Sequence, residues 1–296
     1  MAETEPGTPP DRARTGSTGE GGRRQPATRL GRQPRGEELP INHLDAARAF
    51  EGASVLVTGG TRGIGKTTAL RFASLGATRI ALGYMRGDRA AEETAAELTD
   101  LGVAPVLVRG NVASTRVAEE VAALGPLDVL VHAAASGVIR PALETEEKHW
   151  DWTLAANARA FLSLTRAAAP SMPDGAAIVA ISSLGSTRVL EDYALVGASK
   201  AALEALVRYL AVELAPRGIA VNAVSAGVVE TGALEHFPRK EAMLELGRRN
   251  PVGRLVTPED VAACVTFLCS PDAAMIRGQV LVLDGGGSLL LPMEDT

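Results

Sequence analysis

Cysteine is nearly absent: the 296 residues hold two, Cys264 and Cys269, five apart in one apolar segment. On a helix that spacing puts them on different faces, so they read as core thiols of a reducing compartment rather than a disulfide or a metal pair. Long apolar runs are missing too. Nothing approaches the ~18 residues a membrane helix needs, and no charged-then-apolar signal opens the chain. The expectation is a cytoplasmic protein without membrane insertion. Basic runs are also lacking: 30 Lys and Arg stand against 35 Asp and Glu, a net charge of −5, which argues against nucleic acid as a partner. The four histidines show no metal-ligand spacing. Tyrosine is scarce, so chemistry that needs a phenol has three candidates, Tyr84, Tyr193 and Tyr209.

What is present has a clear rhythm. Residues 1–49 are rich in Gly, Pro, Thr, Arg and Glu, with almost no large apolar side chain. Such a composition is expected to stay disordered. Two readings fit it, a regulatory tail and a start codon assigned too early. From Ala53 onward short apolar runs ("SVLVTGG", "RIALGY", "APVLVRG", "LDVLVHA", "AAIVAISS", "IAVNAVSA", "QVLVLDGG") alternate with helical patterns. Strands with helices between them predict βαβ units. The fold class expected is α/β: one doubly wound Rossmann-type domain over residues 50–291, a seven-stranded parallel sheet with helices on both faces. Residues 292–296 form a short C-terminal tail. Thr257, Pro258 and Asp260 read as the start of a helix.

"VLVTGGTRGIGKTTAL" follows the first strand and opens the first helix. Gly59, Gly63 and Gly65 are glycines there because the backbone must turn sharply and let a pyrophosphate approach the helix N-terminus. At the end of the second strand, where an NAD site carries an acid, the chain reads Gly83, Tyr84, Met85 and then Arg86. Arg62 lies inside the glycine loop. Two arginines and no carboxylate suit a 2′-phosphate, which predicts NADPH. Asp88 is the competing ribose acid, but it falls late.

With "TGGTRGIG", Asn111–Val112, Asn157, "ISS" at Ile181–Ser183, the Tyr193/Lys200 helix, "VNAVSAG" and "GQVLVLDGG" in view, residues ~53–287 resemble the short-chain dehydrogenase/reductase family. The resemblance implies a cofactor site of Gly59, Thr61, Arg62, Gly63, Ile64, Gly65, Arg86, Asn111, Val112, Ala133, Lys200, Val229 and Thr231. It implies a catalytic set of Tyr193, Lys200, Ser183 and Asn157. In the family a tyrosine acts on the carbonyl oxygen, and a lysine binds the nicotinamide ribose and favours the phenolate. A serine orients substrate, and an asparagine on a helix bulge supports a proton path. Ser182 is easily mistaken for Ser183.

The tyrosine is displaced. Tyr193 lies seven residues before Lys200, whereas the usual gap is four, and Val196 stands at the usual place. The shift carries the hydroxyl about one turn, roughly 4.5 Å, along the helix. In an α,β-unsaturated thioester the hydride goes to the β-carbon and charge develops on an oxygen further along the substrate, where a displaced donor has most effect. The Tyr-x6-Lys spacing, with "AASGVIRP", "EEKHWDWTLAANARA", "ALEHFPR" and "MIRGQ", is most similar to NADPH-dependent enoyl-acyl-carrier-protein reductase III. This likeness implies an enoyl thioester substrate on acyl-carrier protein or CoA, a place in fatty-acid or other lipid metabolism, and a homotetramer. A 3-ketoacyl or polyketide carbonyl reductase is the alternative, and a non-enzymatic NADPH-binding regulator a third.

Some residues depart from the family or stand apart. His132 and Ala133 replace two asparagines that brace the strand and cofactor, and His132 is expected to be structural. Ala226 stands where many relatives have proline. Tyr209 is expected in packing, and one of Trp150 and Trp152 in the core or at a subunit contact. "TGALEHFPRKEAMLEL" is where the family carries a mobile lid. Arg239, Lys240, Arg248 and Arg249 are solvated cations or contacts for a carrier phosphate.

Overall fold

The computed structural model describes residues 49–237 and 239–290. The N-terminal tail before Ala49 and the tail at 292–296 lie outside them. Seven strands form one parallel sheet: β1 (Ser54–Thr58), β2 (Arg79–Tyr84), β3 (Ala104–Arg109), β4 (Val129–His132), β5 (Ala177–Ser183), β6 (Ala220–Ala226) and β7 (Val280–Leu283), in the order β3-β2-β1-β4-β5-β6-β7. The helices are α1 (Gly63–Ser74), α2 (Asp88–Asp100), α3 (Thr115–Ala123), α4 (Glu147–Leu154), α5 (Ala160–Ala168), α6 (Ala194–Leu214), α7 (Lys240–Arg248) and α8 (Pro258–Leu268). This is the expected doubly wound architecture.

The period-2 alternation of a strand explains both layers. In β1, Val55 and Val57 pack on one side with Phe72 of α1 and Val261 and Val265 of α8. Leu56 points the other way, into a cluster with Val117 of α3, Phe161 and Leu164 of α5 and Leu203 and Val207 of α6. A strand buried on both faces needs apolar residues throughout, and "SVLVT" supplies them. Helix α8 starts as its sequence suggests. The Asp260 backbone N–H donates to Thr257 Oγ1 at 3.2 Å, the Thr257 N–H donates to Asp260 Oδ2 at 2.9 Å, and Pro258 takes the first turn.

Strand order reverses at β1, whose neighbours are β2 and β4. In such a sheet the crevice for ligands opens beyond the carboxyl ends of the strands at that reversal. The chain pauses there in another way. Between α4 and α5, residues Ala155–Arg159 form one turn of π-helix with Asn157 in it. The extra residue turns the Asn157 amide and carbonyl toward the end of β4.

One expectation about packing is not met: Tyr209 is exposed on α6, so it does not pack in this fold. Trp150 and Trp152 are both about half exposed, so neither is a core residue, and Trp152 borders the cleft at the carboxyl ends of the strands. Cys264 and Cys269 are unpaired and partly buried, with burial pushing both thiols up from their ordinary range.

Candidate active site

A cleft of about 1740 Å³ opens at the carboxyl ends of the strands. One half is built by the glycine loop. A Cβ on Gly65 would fall 2.1 Å from the Gly59 carbonyl oxygen, so α1 begins closer to β1 than any other residue allows. Thr61, Arg62, Gly63 and Ile64 line the same wall, Arg86 faces it from the end of β2, and Asn111, Val112 and Ala133 continue it. Val229 and Thr231 close it from the segment after β6. Every cofactor residue expected from sequence is therefore at this cleft. Asp88 is not. It opens α2, pairs with Arg109 Nη2 at 3.1 Å and is hydrogen-bonded to Tyr84. No carboxylate stands at the end of β2 on the cleft wall, while Arg62 and Arg86 make no ion pair among the described residues. The loop cradle and these two guanidiniums fit a dinucleotide with a 2′-phosphate.

The other half holds the reactive side chains. Tyr193 is the residue immediately before α6, and Lys200 lies two turns in. Lys200 is buried and its Nζ donates to the Ile181 carbonyl at 2.8 Å. Burial lowers its pKa to about 8, partly opposed by Glu204. Ser183 neighbours the Tyr193 hydroxyl and opposes the rise in its pKa, and its own Oγ accepts from the Gly185 N–H at 3.3 Å. Ser182 also borders the cleft, but its hydroxyl is engaged, donating to Glu204 Oε1 at 2.5 Å. Ser183 is thus the serine beside Tyr193.

Burial raises the Tyr193 pKa and Ser183 opposes the rise, so the phenol is favoured over the phenolate in this fold. Seven residues separate Tyr193 from Lys200 by about 10 Å along α6, and the lysine Nζ is turned to Ile181.

Asn157 is fully buried and does not reach the cleft. Its Nδ2 donates to the Ser136 carbonyl (2.9 Å) and to Ser199 Oγ (2.7 Å), and its Oδ1 accepts from the Ser136 N–H (2.9 Å). Its side chain therefore fixes the loop after β4 against α6. Its carbonyl is hydrogen-bonded to His132 Nε2 at 3.2 Å. A carbonyl only accepts, so the His132 proton is on Nε2, and Nδ1 accepts from Thr58 Oγ1 at 3.1 Å. Thr58 in turn accepts from the Ala134 N–H. Every polar atom of the buried imidazole is satisfied, and burial holds its pKa down to about 3. The structural reading of His132 stands.

Val196, at the usual tyrosine place, is buried against the loop after β4. A Cβ on Gly137 would fall 2.3 Å from its Cγ2. It lines the cleft with Ile139, Leu190, Leu234, Phe237 and Met243 and makes that end apolar. Among the basic residues after β6, Arg239 pairs with Glu191 (2.6 Å), Lys240 with Glu235 (2.6 Å) and Arg249 with Glu245 (3.5 Å). No group of three or more His, Cys, Asp or Glu placed to hold a metal exists among the described residues. Sequence reasoning missed Gly185, whose one signal was its place two residues after Ser183, and missed Phe237 on the Tyr193 ring.

The family model described as Enoyl-(Acyl carrier protein) reductase matches residues 59–288. A 1-cyclohexenylcarbonyl-CoA reductase of Streptomyces collinus is 38% identical over 245 residues, 80% of this chain and 87% of that protein. Among solved structures, a short-chain dehydrogenase from Burkholderia cenocepacia J2315 in complex with NADP aligns with a TM-score of 0.74 at 32% identity, over 81% of this chain and 100% of that one. The angucycline C-6 ketoreductase LanV with bound NADP aligns with a TM-score of 0.75 at 29% identity, over 82% and 98%.

Proposed function

Because the chain belongs to the short-chain dehydrogenase/reductase family, in the branch described as enoyl-acyl-carrier-protein reductase, we propose that it reduces the carbon–carbon double bond of an enoyl thioester with NADPH. The observation that carries this reading is the displaced Tyr193, standing with Ser183 at the cleft, with an aliphatic Val196 where a ketone reductase has its tyrosine.

Arg62 and Arg86 hold the 2′-phosphate, the glycine loop holds the pyrophosphate, and Lys200 holds the nicotinamide ribose. When bound, NADPH supplies a hydride to the β-carbon of the substrate. The Gly185 N–H donates to Ser183, Ser183 donates to the Tyr193 oxygen, and the Tyr193 proton is left for the thioester oxygen. In such a chain each hydrogen bond strengthens the next. As the α,β-double bond is lost, negative charge gathers on that oxygen, and a preplaced donor in a dry site stabilises it most at that moment. The α-carbon then takes a proton from water, which becomes hydroxide and is neutralised by the buffer, completing the saturated thioester. The apolar wall of Ile139, Leu190, Val196 and Met243 receives the acyl group. The likeness to a CoA-thioester reductase favours CoA as carrier, with acyl-carrier protein the other carrier of the same chemistry.

The assembly we propose is a homotetramer. Tyr209 and Val212, three apart on one face of α6, are exposed, and so are Val282 on the edge strand β7 and the nearby Met275. Two apolar surfaces on different elements suit two different two-fold contacts.

Carbonyl reduction is the second reading, favoured by the likeness to a ketoreductase. The two are separated by following NADPH absorbance with a crotonyl-type and an acetoacetyl-type thioester, wild type beside Tyr193→Phe. We expect turnover of the enoyl substrate that falls on the order of 100-fold or more in Tyr193→Phe. Turnover confined to the ketone substrate would establish the second reading instead.

A further inference from the structure

Tyr193 sits at the least supported place on its helix. It precedes the first turn of α6 and makes no side-chain cap. The residue before it, Asp192, has φ +61°, the one non-glycine in the left-handed region among the described residues. The Arg140 N–H anchors that turn by donating to the Asp192 carbonyl at 2.8 Å. A tyrosine four residues before Lys200 would be held by the helix around it. One placed seven before needs other contacts to fix its ring.

We propose that Gly185 and Phe237 are positioning residues for the displaced tyrosine, together fixing the Tyr193 ring so that its hydroxyl meets Ser183 and the substrate oxygen. The inference rests on the reading of Tyr193 as the working hydroxyl. The Tyr193 ring lies directly on the Gly185 backbone: a Cβ there would fall 2.5 Å from Tyr193 Cδ1 and 2.6 Å from Cε1. Gly185 does not have positive φ, so the backbone itself would accept alanine. What excludes a side chain is the tyrosine. The Phe237 ring stacks on Tyr193, with centroids 5.9 Å apart and planes inclined by 27°. Phe237 follows the short helix Gly232–His236, and Arg239, two residues on, is ion-paired to Glu191 in the Tyr193 loop. The same segment therefore touches the tyrosine and the loop that carries it. Gly185 also donates its N–H to Ser183, so one residue sets both the ring and its hydrogen-bond partner.

The test combines stability with kinetics. Gly185→Ala is made in the wild-type chain and in Tyr193→Ala, and thermal unfolding of all four proteins is compared. Alanine at 185 is expected to lower Tm only where the tyrosine ring is present, a non-additivity that marks direct contact. Equal losses in both backgrounds would overturn the contact. In turnover, Gly185→Ala and Phe237→Ala are expected to lower kcat on the order of 10- to 100-fold, with KM for the enoyl thioester little changed and Phe237→Tyr restoring the rate. A general loss of structure would move KM and Tm without rescue by the second aromatic. If Tyr193→Phe collapses while Gly185→Ala and Phe237→Ala turn over like wild type, the inference fails and the reading of Tyr193 stands. If Tyr193→Phe keeps full activity, that reading fails and takes the inference with it.

Discussion

At the scale of single residues, Lys200 carries a cost that its proposed role requires. Its amino group is buried and its pKa falls from 10.5 to about 8. The unfolded chain therefore binds more protons than the folded one between about pH 8 and 10.5, and stability rises with pH across that window. Below it the full cost of burying the cation is present. Lys200→Met should accordingly raise thermal stability near neutral pH, on the order of 2 kcal/mol after the lost bond to Ile181 is counted. The advantage should shrink as pH climbs toward 10.5. Differential unfolding of the two proteins across a pH series checks this, and an advantage that does not vary with pH would mean that charge is not its source. The same substitution should abolish turnover, separating what the lysine does for the reaction from what it costs the fold.

At the scale of elements, the loop into α1 and the end of β2 form one recognition unit. Arg62 opens α1 and Arg86 follows β2, and the strands that carry them pair side by side, Thr58 with Gly83. Replacing Arg62 and Arg86 together with alanine should weaken NADPH binding by about 10-fold or more, equivalent to about 1.4 kcal/mol, and leave NADH binding nearly unchanged. Fluorescence titration with each dinucleotide reads the difference. This unit was legible in the sequence because a pyrophosphate dictates glycines at fixed spacing in one continuous stretch. The strand–helix alternation was legible for a similar reason, since a parallel sheet covered on both faces needs short apolar runs at regular intervals. The substrate half was less so. Tyr193, Lys200 and Ser183 were expected from spacing and family likeness, and the fold brings them to one cleft. The contacts that give them their properties join β5, α6 and the segment after β6 across dozens of residues. The turn of Lys200 toward Ile181, the burial of Asn157 away from the cleft and the seat of the tyrosine on Gly185 all depend on where side chains turn, which linear spacing does not state. Tyr209 failed in the opposite direction: being aromatic suggested packing, yet the fold leaves it outside.

For the whole molecule, exposed apolar residues on two separate elements call for covering surfaces. Tyr209→Glu combined with Val212→Glu on α6 should convert the proposed tetramer to smaller species, and light scattering coupled to size separation reads it directly. Val282→Lys at the edge of β7 should break the other contact. A wild-type chain that runs as a monomer would remove the assembly from the account and leave the cleft as described.

The strand order has a consequence for inheritance. Residues 59–112 supply the glycine loop and the arginine rim, and residues 183–237 supply the tyrosine, the lysine and the apolar Phe237 wall, meeting across one cleft although the first stretch ends before the second begins. On the proposed reading, dinucleotide preference and reaction type are written in separate blocks of the gene. A single recombination between them can exchange one trait and keep the other, so a lineage built on this fold can alter its chemistry without relearning which coenzyme to use.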